Sequence, residues 1–227
     1  SSSGGSSSGG SGKVWVVLSL FDGMSCGREA IRQLGIPDSN VRYFASEIDK
    51  HAIAVAQDNF PNTVQLGDVT KVKYIPVVKD LSKSYIVGAD GSKHIVGKID
   101  LLLGGSPCQG VSRAGGQEIM EHSESVLFQE YTRLLSDTTV ATKTEVHKPS
   151  FLSENVRNSE FEALVTGALE RFGATLYKLD SKHWAAARRP RNYWTNIPFD
   201  PTKPPTPSAI GSPLTMQGVI GADYEGI

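Results

Sequence analysis

The run Ile99-Asp100-Leu101-Leu102-Leu103-Gly104, followed at once by Gly105-Ser106-Pro107-Cys108-Gln109-Gly110, constrains this chain more than any other stretch. The run is too short for an ordinary helix, and apolar residues bounded by glycine and proline read as a fully buried strand. Pro107 fixes its own φ and drives Ser106 toward extended geometry, so the turn that presents Cys108 is stiff. The C-terminal end of such a strand is where an open α/β sheet places ligands and reactive groups. Cys108 is therefore a candidate nucleophile, although the same residues are equally compatible with an ordinary semi-buried thiol.

The rest of the chain supplies the sheet that this strand needs. Val14 to Leu20 is apolar and β-branched and predicts a buried strand. Phe21-Asp22-Gly23-Met24-Ser25-Cys26-Gly27 follows, and Arg28 to Leu34 then has helical spacing, with Ala30, Ile31 and Leu34 able to share a face. Strand, glycine loop and helix bring backbone N–H groups close to a ligand, although a single glycine turn is also compatible with a plain connecting loop. Val41 to Ser46 predicts a second strand ending at Glu47, where an acid can meet ribose hydroxyls. A helix over 49–59 and a short strand over 63–67 then deliver Asp68 to the same sheet edge. Either acid alone could simply cap a helix, whereas the combination suits an adenosine-containing cofactor. The fold class expected is α/β, a doubly wound and mostly parallel sheet.

Between Asp68 and the Cys108 strand, Pro76 argues against one uninterrupted helix over 71–81. Residues 85–87 and 94–96 look like a hairpin, with His94 on its surface. Beyond Cys108, residues 110–123 form a loop of lid-like length, and 124–135 predict a helix. Residues 138–148 are polar and connect to a strand over 149–153 that ends in Glu154-Asn155-Val156, on the same rim as Cys108. A helix over 159–172 and a strand over 174–179 precede a cluster containing Lys182, His183, Arg188, Arg189 and Arg191, interleaved with Trp184, Tyr193 and Trp194. Such a cluster by itself is more often a solvated surface than a binding site. Six prolines between 198 and 213 end regular structure near Ile197.

Length and composition bound the alternatives. The 227 residues, 39% hydrophobic and 21% charged, suit one main domain of ordinary globular character. Residues 1–12 are only serine and glycine, the composition of an engineered flexible linker, so the folded domain is expected over 13–197 and a proline-rich segment over 198–227. Neither a bilayer-spanning run nor a secretory signal is visible. Two cysteines, Cys26 and Cys108, in separate glycine-rich turns favour a reducing, intracellular setting, either nucleus or bacterial cytoplasm. A net charge of −1 neither suggests nor excludes a nucleic-acid partner, and no metal site is expected.

In order and spacing these elements resemble the DNA cytosine-5 methyltransferase family from Val14 to about Pro198. The resemblance implies a Rossmann-like domain that binds S-adenosylmethionine and releases S-adenosylhomocysteine. Its cofactor loop would be Phe21, Asp22, Gly23, Met24, Ser25, Cys26 and Gly27. Glu47 would be the ribose acid and Asp68 the adenine-side acid, with Ile48, Val69 and Pro107 as further cofactor contacts. Pro107-Cys108-Gln109 looks like the nucleophile motif, Glu154-Asn155-Val156 the second catalytic motif and Arg189-Pro190-Arg191 the arginine pair. Catalytic roles are thus implied for Cys108, Glu154, Arg189 and Arg191. Within the family, 126–135 and 191–196 look most like the vertebrate de novo enzymes. The implied partner is double-stranded DNA with one cytosine flipped out beneath the 110–123 loop.

Residues 199–227 resemble only the start of a target-recognition region, and the family's final motifs have no counterpart here. A truncated chain is therefore expected, completed by a second chain or fused segment. Competing readings are an RNA cytosine-5 methyltransferase, a non-catalytic regulatory subunit that keeps the fold, and a dinucleotide-dependent oxidoreductase using the same glycine loop.

Overall fold

A computed structural model describes residues 13–107, 120–183 and 188–198, with side chains omitted for 120–125, 160 and 183. Cys108, most of the 110–123 loop, Trp184, the serine-glycine stretch and residues 199–227 lie outside the described residues.

The central sheet has seven strands. In chain order its members are β1 (Trp15–Leu20), β2 (Val41–Ser46), β3 (Val64–Gln65), β7 (Leu101–Gly104), β10 (Ser150–Val156), β11 (Thr175–Asp180) and β12 (Pro190–Thr195). The intervening numbers belong to two small sheets, β4 (Lys73–Ile75) with β5 (Tyr85–Val87) and β6 (Lys93–Ile95), and β8 (Val140–Ala141) with β9 (Val146–His147). Helices α1 (Cys26–Gln33), α2 (Lys50–Asn59), α3 (Met120–Thr138) and α4 (Ser159–Glu170) complete the fold.

Strand order across the large sheet is β11-β12-β10-β7-β1-β2-β3. The pairs from β10 through β3 are parallel, and β12 runs antiparallel to both its neighbours. The chain winds outward from β1 to β3 and then returns to the other side of β1 with β7, so the winding reverses between β1 and β7. Ligands bind outside the strand ends at such a reversal.

Both faces of the sheet are covered, which is why β1 reads as a nearly continuous apolar run. Val16, Leu18 and Leu20 face a large core with Phe128, Tyr131 and Leu134 of α3, Val165 and Leu169 of α4, and Trp194. Val17, Tyr43 and Ala45 face a smaller core with Ile31 of α1.

The structure changes several expectations. Helix α1 does not bury Ala30 or Leu34: Leu34 is 78% exposed, while Arg28 is 1% exposed beside Ile31. The guanidinium repays its burial by donating to Thr63 Oγ1 at 2.7 Å and Asp38 Oδ1 at 3.3 Å, between the rings of Tyr43 and Phe60. The hairpin expected over 85–96 is present but gains a third strand, β4, in the 71–81 stretch where Pro76 argues against one uninterrupted helix. The polar connection over 138–148 contains the β8–β9 hairpin. The second half of the arginine-rich segment, to which the sequence assigns no element, forms β12. That strand is polar in sequence because Asn192 donates to Glu162 Oε2 at 3.0 Å and Trp194 Nε1 to Thr166 Oγ1 at 2.9 Å, both toward α4.

Candidate active site

The loop after β1 is tightly wound. Phe21, Gly23 and Ser25 have φ of 55°, 57° and 62°, a left-handed conformation that costs energy for the two residues carrying a β-carbon. Such strain persists where surrounding bonds over-determine it. The Asp22 carboxylate accepts from Ser25 Oγ with one oxygen and from Tyr43 Oη, at 2.7 Å, with the other. Gly23 N donates to Glu47 Oε2 at 2.8 Å, and Asp22 N to Ser46 O at 3.2 Å. Burial, and after it the Asp22 charge, pushes the Tyr43 phenol well above its usual range, so it stays a neutral donor.

Glu47 closes the loop from the end of β2. Its Oε1 accepts from Ile48 N at 2.8 Å and Asp49 N at 2.9 Å. Three backbone donors leave this carboxylate with capacity for one further hydrogen bond. Asp68, past the end of β3, accepts from Thr70 Oγ1 at 2.8 Å and Thr70 N at 3.0 Å, and these bonds hold its carboxyl below the usual value.

A cavity of about 580 Å³ lies between these strand ends, lined among others by Phe21, Gly23, Glu47, Ile48, Asp68, Val69, Gly105 and Pro107. That volume is in the range of small-molecule sites. Ile48 is 74% exposed against it, an apolar surface on which a flat ring can lie. The remaining acceptor of Glu47, the Asp68 carboxylate and this apolar surface fit a hydroxyl, an amine and an aromatic ring respectively, the groups of an adenosyl cofactor.

Of the residues expected to bind cofactor, the structure brings together Phe21, Gly23, Glu47, Ile48, Asp68, Val69 and Pro107 around the cavity. Asp22, Met24, Ser25, Cys26 and Gly27 are not in its lining: Asp22 and the buried Ser25 brace the loop, and Met24 and Cys26 face outward. Ser46, Asp49, Ala52, Gly105 and Leu127 line it without having been singled out. Leu127 lies on α3, far along the chain, and the resemblance over 126–135 gives it no cofactor role.

The second cluster sits where β7 meets β10. Ser153 pairs with Gly104, which sets Glu154 against Gly105. A β-carbon on Gly105 would stand 3.0 Å from Glu154 Oε2 and 3.1 Å from Glu154 O, so any other residue there forces Glu154 to give by a few tenths of an ångström. Arg191 Nε lies 2.7 Å from Glu154 Oε1, an ion pair without hydrogen-bond alignment, and Arg189 is farther out at 3.7 Å. Arg191 is largely covered and Arg189 exposed. Asn155 Nδ2 donates to Ser106 O at 3.2 Å and Ser106 Oγ at 3.1 Å, tying the turn before Cys108 to β10. Glu154, Arg189 and Arg191 are therefore together, beside the turn leading to Cys108.

The reversed winding, the loop after β1 and carboxylates following β2 and β3 define a Rossmann-like fold of the S-adenosylmethionine-dependent methyltransferase class. A solved structure of the S. pombe Dnmt2 methyltransferase shares it, with TM-score 0.52 at 18% identity over 82% of this chain and 52% of that one, a likeness of fold. A profile of the C-5 cytosine-specific DNA methylase family matches residues 16–182, and the chain belongs to that family. Membership makes S-adenosylmethionine the cofactor implied for the cavity. The orphan methyltransferase M.SPRI of Bacillus phage SPR is 30% identical over 169 residues, 72% of this chain and 32% of its own length. M.Rho11sI of Bacillus phage rho11s is also 30% identical over 169 residues, covering 28% of its own length. The chain thus spans about a third of the length of these curated relatives. No helix among the described residues is long and apolar enough to cross a membrane.

Proposed function

We propose that this chain carries the catalytic half of an enzyme that methylates C5 of cytosine in double-stranded DNA through a covalent bond between Cys108 and C6 of a flipped base. The observation that supports this best is the position of Glu154, packed on Gly105 and paired with Arg191, at the rim of a cavity that Gly105 and Pro107 help to line. When bound, S-adenosylmethionine supplies an electrophilic methyl group.

Cytosine C5 is a weak nucleophile, so the Cys108 thiolate first bonds to C6 and the electron pair of the C5–C6 double bond moves onto C5. Glu154 assists by holding a proton at ring N3, which draws electron density out of the ring during addition. Arg191 orients that carboxyl, and the exposed Arg189 meets charge on the nucleotide. Once C5 is methylated, a base removes its remaining proton, the electron pair restores the double bond, and Cys108 leaves as the thiolate. An intracellular, reducing setting keeps that thiol available.

The likeness of 126–135 and 191–196 to vertebrate de novo enzymes and the description of the family both support DNA as the substrate. A second chain or further segment supplies target recognition and completes the cofactor site. The test is mass analysis of the chain incubated with S-adenosylmethionine and DNA containing 5-fluorocytosine, which blocks the final elimination, with and without the C-terminal portion of a phage relative. The expected result is a methylated adduct on Cys108, lost in Cys108→Ser. An adduct formed only on 5-fluorocytosine RNA overturns DNA as substrate. Absence of an adduct on either, with cofactor binding intact, overturns the covalent mechanism.

A further inference from the structure

The β4–β5–β6 sheet lies outside the catalytic machinery, and its sequence is unlike the rest of the chain. Between 71 and 98 there are six lysines against two aspartates, in a protein of net charge −1. Both aspartates are engaged: Asp80 pairs with Lys83 at 3.2 Å and accepts from Ser82, and Asp90 accepts from Ser92 N at 2.8 Å. Lys98 is spent on Glu145 at 2.5 Å. Lys73, Lys79 and Lys93 form no ion pair with a carboxylate among the described residues.

Register decides which of these lysines share a surface. Tyr74, Ile86 and His94 align across the three strands, with Tyr74 and Ile86 buried and His94 against Phe44. Their neighbours form two rows on the opposite, outward face. One row is Lys73, Val87 and Lys93, and the other is Ile75, Tyr85 and Ile95. Ile95 is 60% exposed, and Lys73 and Lys93 are also exposed. Lys93 Nζ rests 3.6 Å from the centroid of the Tyr85 ring, which restricts where that ammonium can point.

A flat face with two unpaired, spaced ammonium groups beside an apolar row complements a polyanion whose charges recur along a line with apolar edges between them. We propose that this sheet face grips the sugar-phosphate backbone of a nucleic acid, independently of sequence, with Lys73 and Lys93 on phosphates and Ile75 and Ile95 against sugar edges. The Tyr85 ring holds Lys93 in place and so reads no base. The grip adds a contact beyond the methylation site and does not depend on the methyl-transfer reading.

The test is fluorescence anisotropy of a labelled DNA duplex of roughly 20 base pairs, without cofactor, over about 50 to 200 mM salt. Each phosphate contact contributes about 0.9 to the slope of log affinity against log salt concentration. Lys73→Gln combined with Lys93→Gln lowers the slope by about 1.8 and affinity by about tenfold or more. Lys83→Gln, which removes a lysine already paired within the same module, leaves the slope unchanged. Equal slopes for the double variant and the wild type overturn the proposal, as does an equal fall with Lys83→Gln, which would mark a general charge effect. Displacement of the duplex by poly-glutamate at equal charge concentration overturns it in favour of an acidic protein partner. Because no cofactor is present, failure of methyl transfer does not touch the result.

Discussion

Replacing Tyr43 with phenylalanine removes a single oxygen and leaves the ring, its packing against α1 and its contact with Arg28 in place. What is lost is a 2.7 Å hydrogen bond to the Asp22 carboxylate, one of the bonds that join β2 and its end to the strained loop after β1. Hydrogen bonds to charged groups contribute roughly 1.5–3 kcal/mol. Asp22 is only half-buried and keeps Ser25 as a donor, so water recovers part of the loss and the lower portion of that range, about 1.5–2 kcal/mol, applies. For a chain of this size each kcal/mol moves the melting midpoint by about 2–4 °C, giving a fall of roughly 3–8 °C. Loop order is also what Gly23 and Phe21 contribute to the cavity, so part of the same energy appears as weaker cofactor binding. An affinity loss approaching tenfold corresponds to about 1.4 kcal/mol. Calorimetric melting and isothermal titration with S-adenosylhomocysteine measure both quantities on one sample. A variant that melts within about 1 °C of the wild type and binds equally well refutes the claim that this phenol holds the loop.

Gly105→Ala places a methyl 3.0 Å from Glu154 Oε2 and 3.1 Å from its backbone carbonyl, so Glu154 shifts by a few tenths of an ångström; methyl incorporation into DNA falls about tenfold, and a wild-type rate refutes the packing argument. Thr70→Ala removes the largest cause of the depressed Asp68 pKa, so a carboxyl-carbon NMR titration shows that pKa rising toward 3.8, and an unmoved titration refutes the assignment. In the wild type this depressed group adds stability that is complete above its unfolded value and lost as pH falls through its folded value, so Thr70→Ala flattens the acid side of the stability profile measured by urea unfolding. Tyr131→Phe removes a fully buried hydroxyl that has no hydrogen-bond partner among the described residues, and the melting midpoint rises by about 2–4 °C for each kcal/mol of relieved desolvation; a fall refutes it.

The strands that bracket the cavity were legible because burial on both faces leaves a plain mark: β1, β2 and β7 are apolar almost throughout. The acids Glu47 and Asp68 were legible for a different reason, since each follows a predicted strand. β12 was hidden because its buried positions include Asn192, whose partner Glu162 is 30 residues away, and no pattern within the strand announces that bond. Arg28 misled the reading of α1 for the same physical reason: a charged side chain reads as surface until Thr63, Asp38 and two rings are found around it. Within the strand over 41–46 nothing in the sequence distinguishes Tyr43, and its hydrogen bond to Asp22 gives it a role at the site.

The position of β12 also fixes an order of assembly. Among the described residues β11 pairs in the large sheet only with β12, and β12 alone joins it to β10. On the ribosome β11 emerges first and waits, with both edges unsatisfied, until residues 190–195 follow. At synthesis rates of about 5–20 residues per second that interval lasts on the order of a second. A chain released anywhere between Asp180 and Thr195 therefore carries a strand with no seat in the sheet, and this stretch is where stalled translation would most readily yield aggregation-prone product.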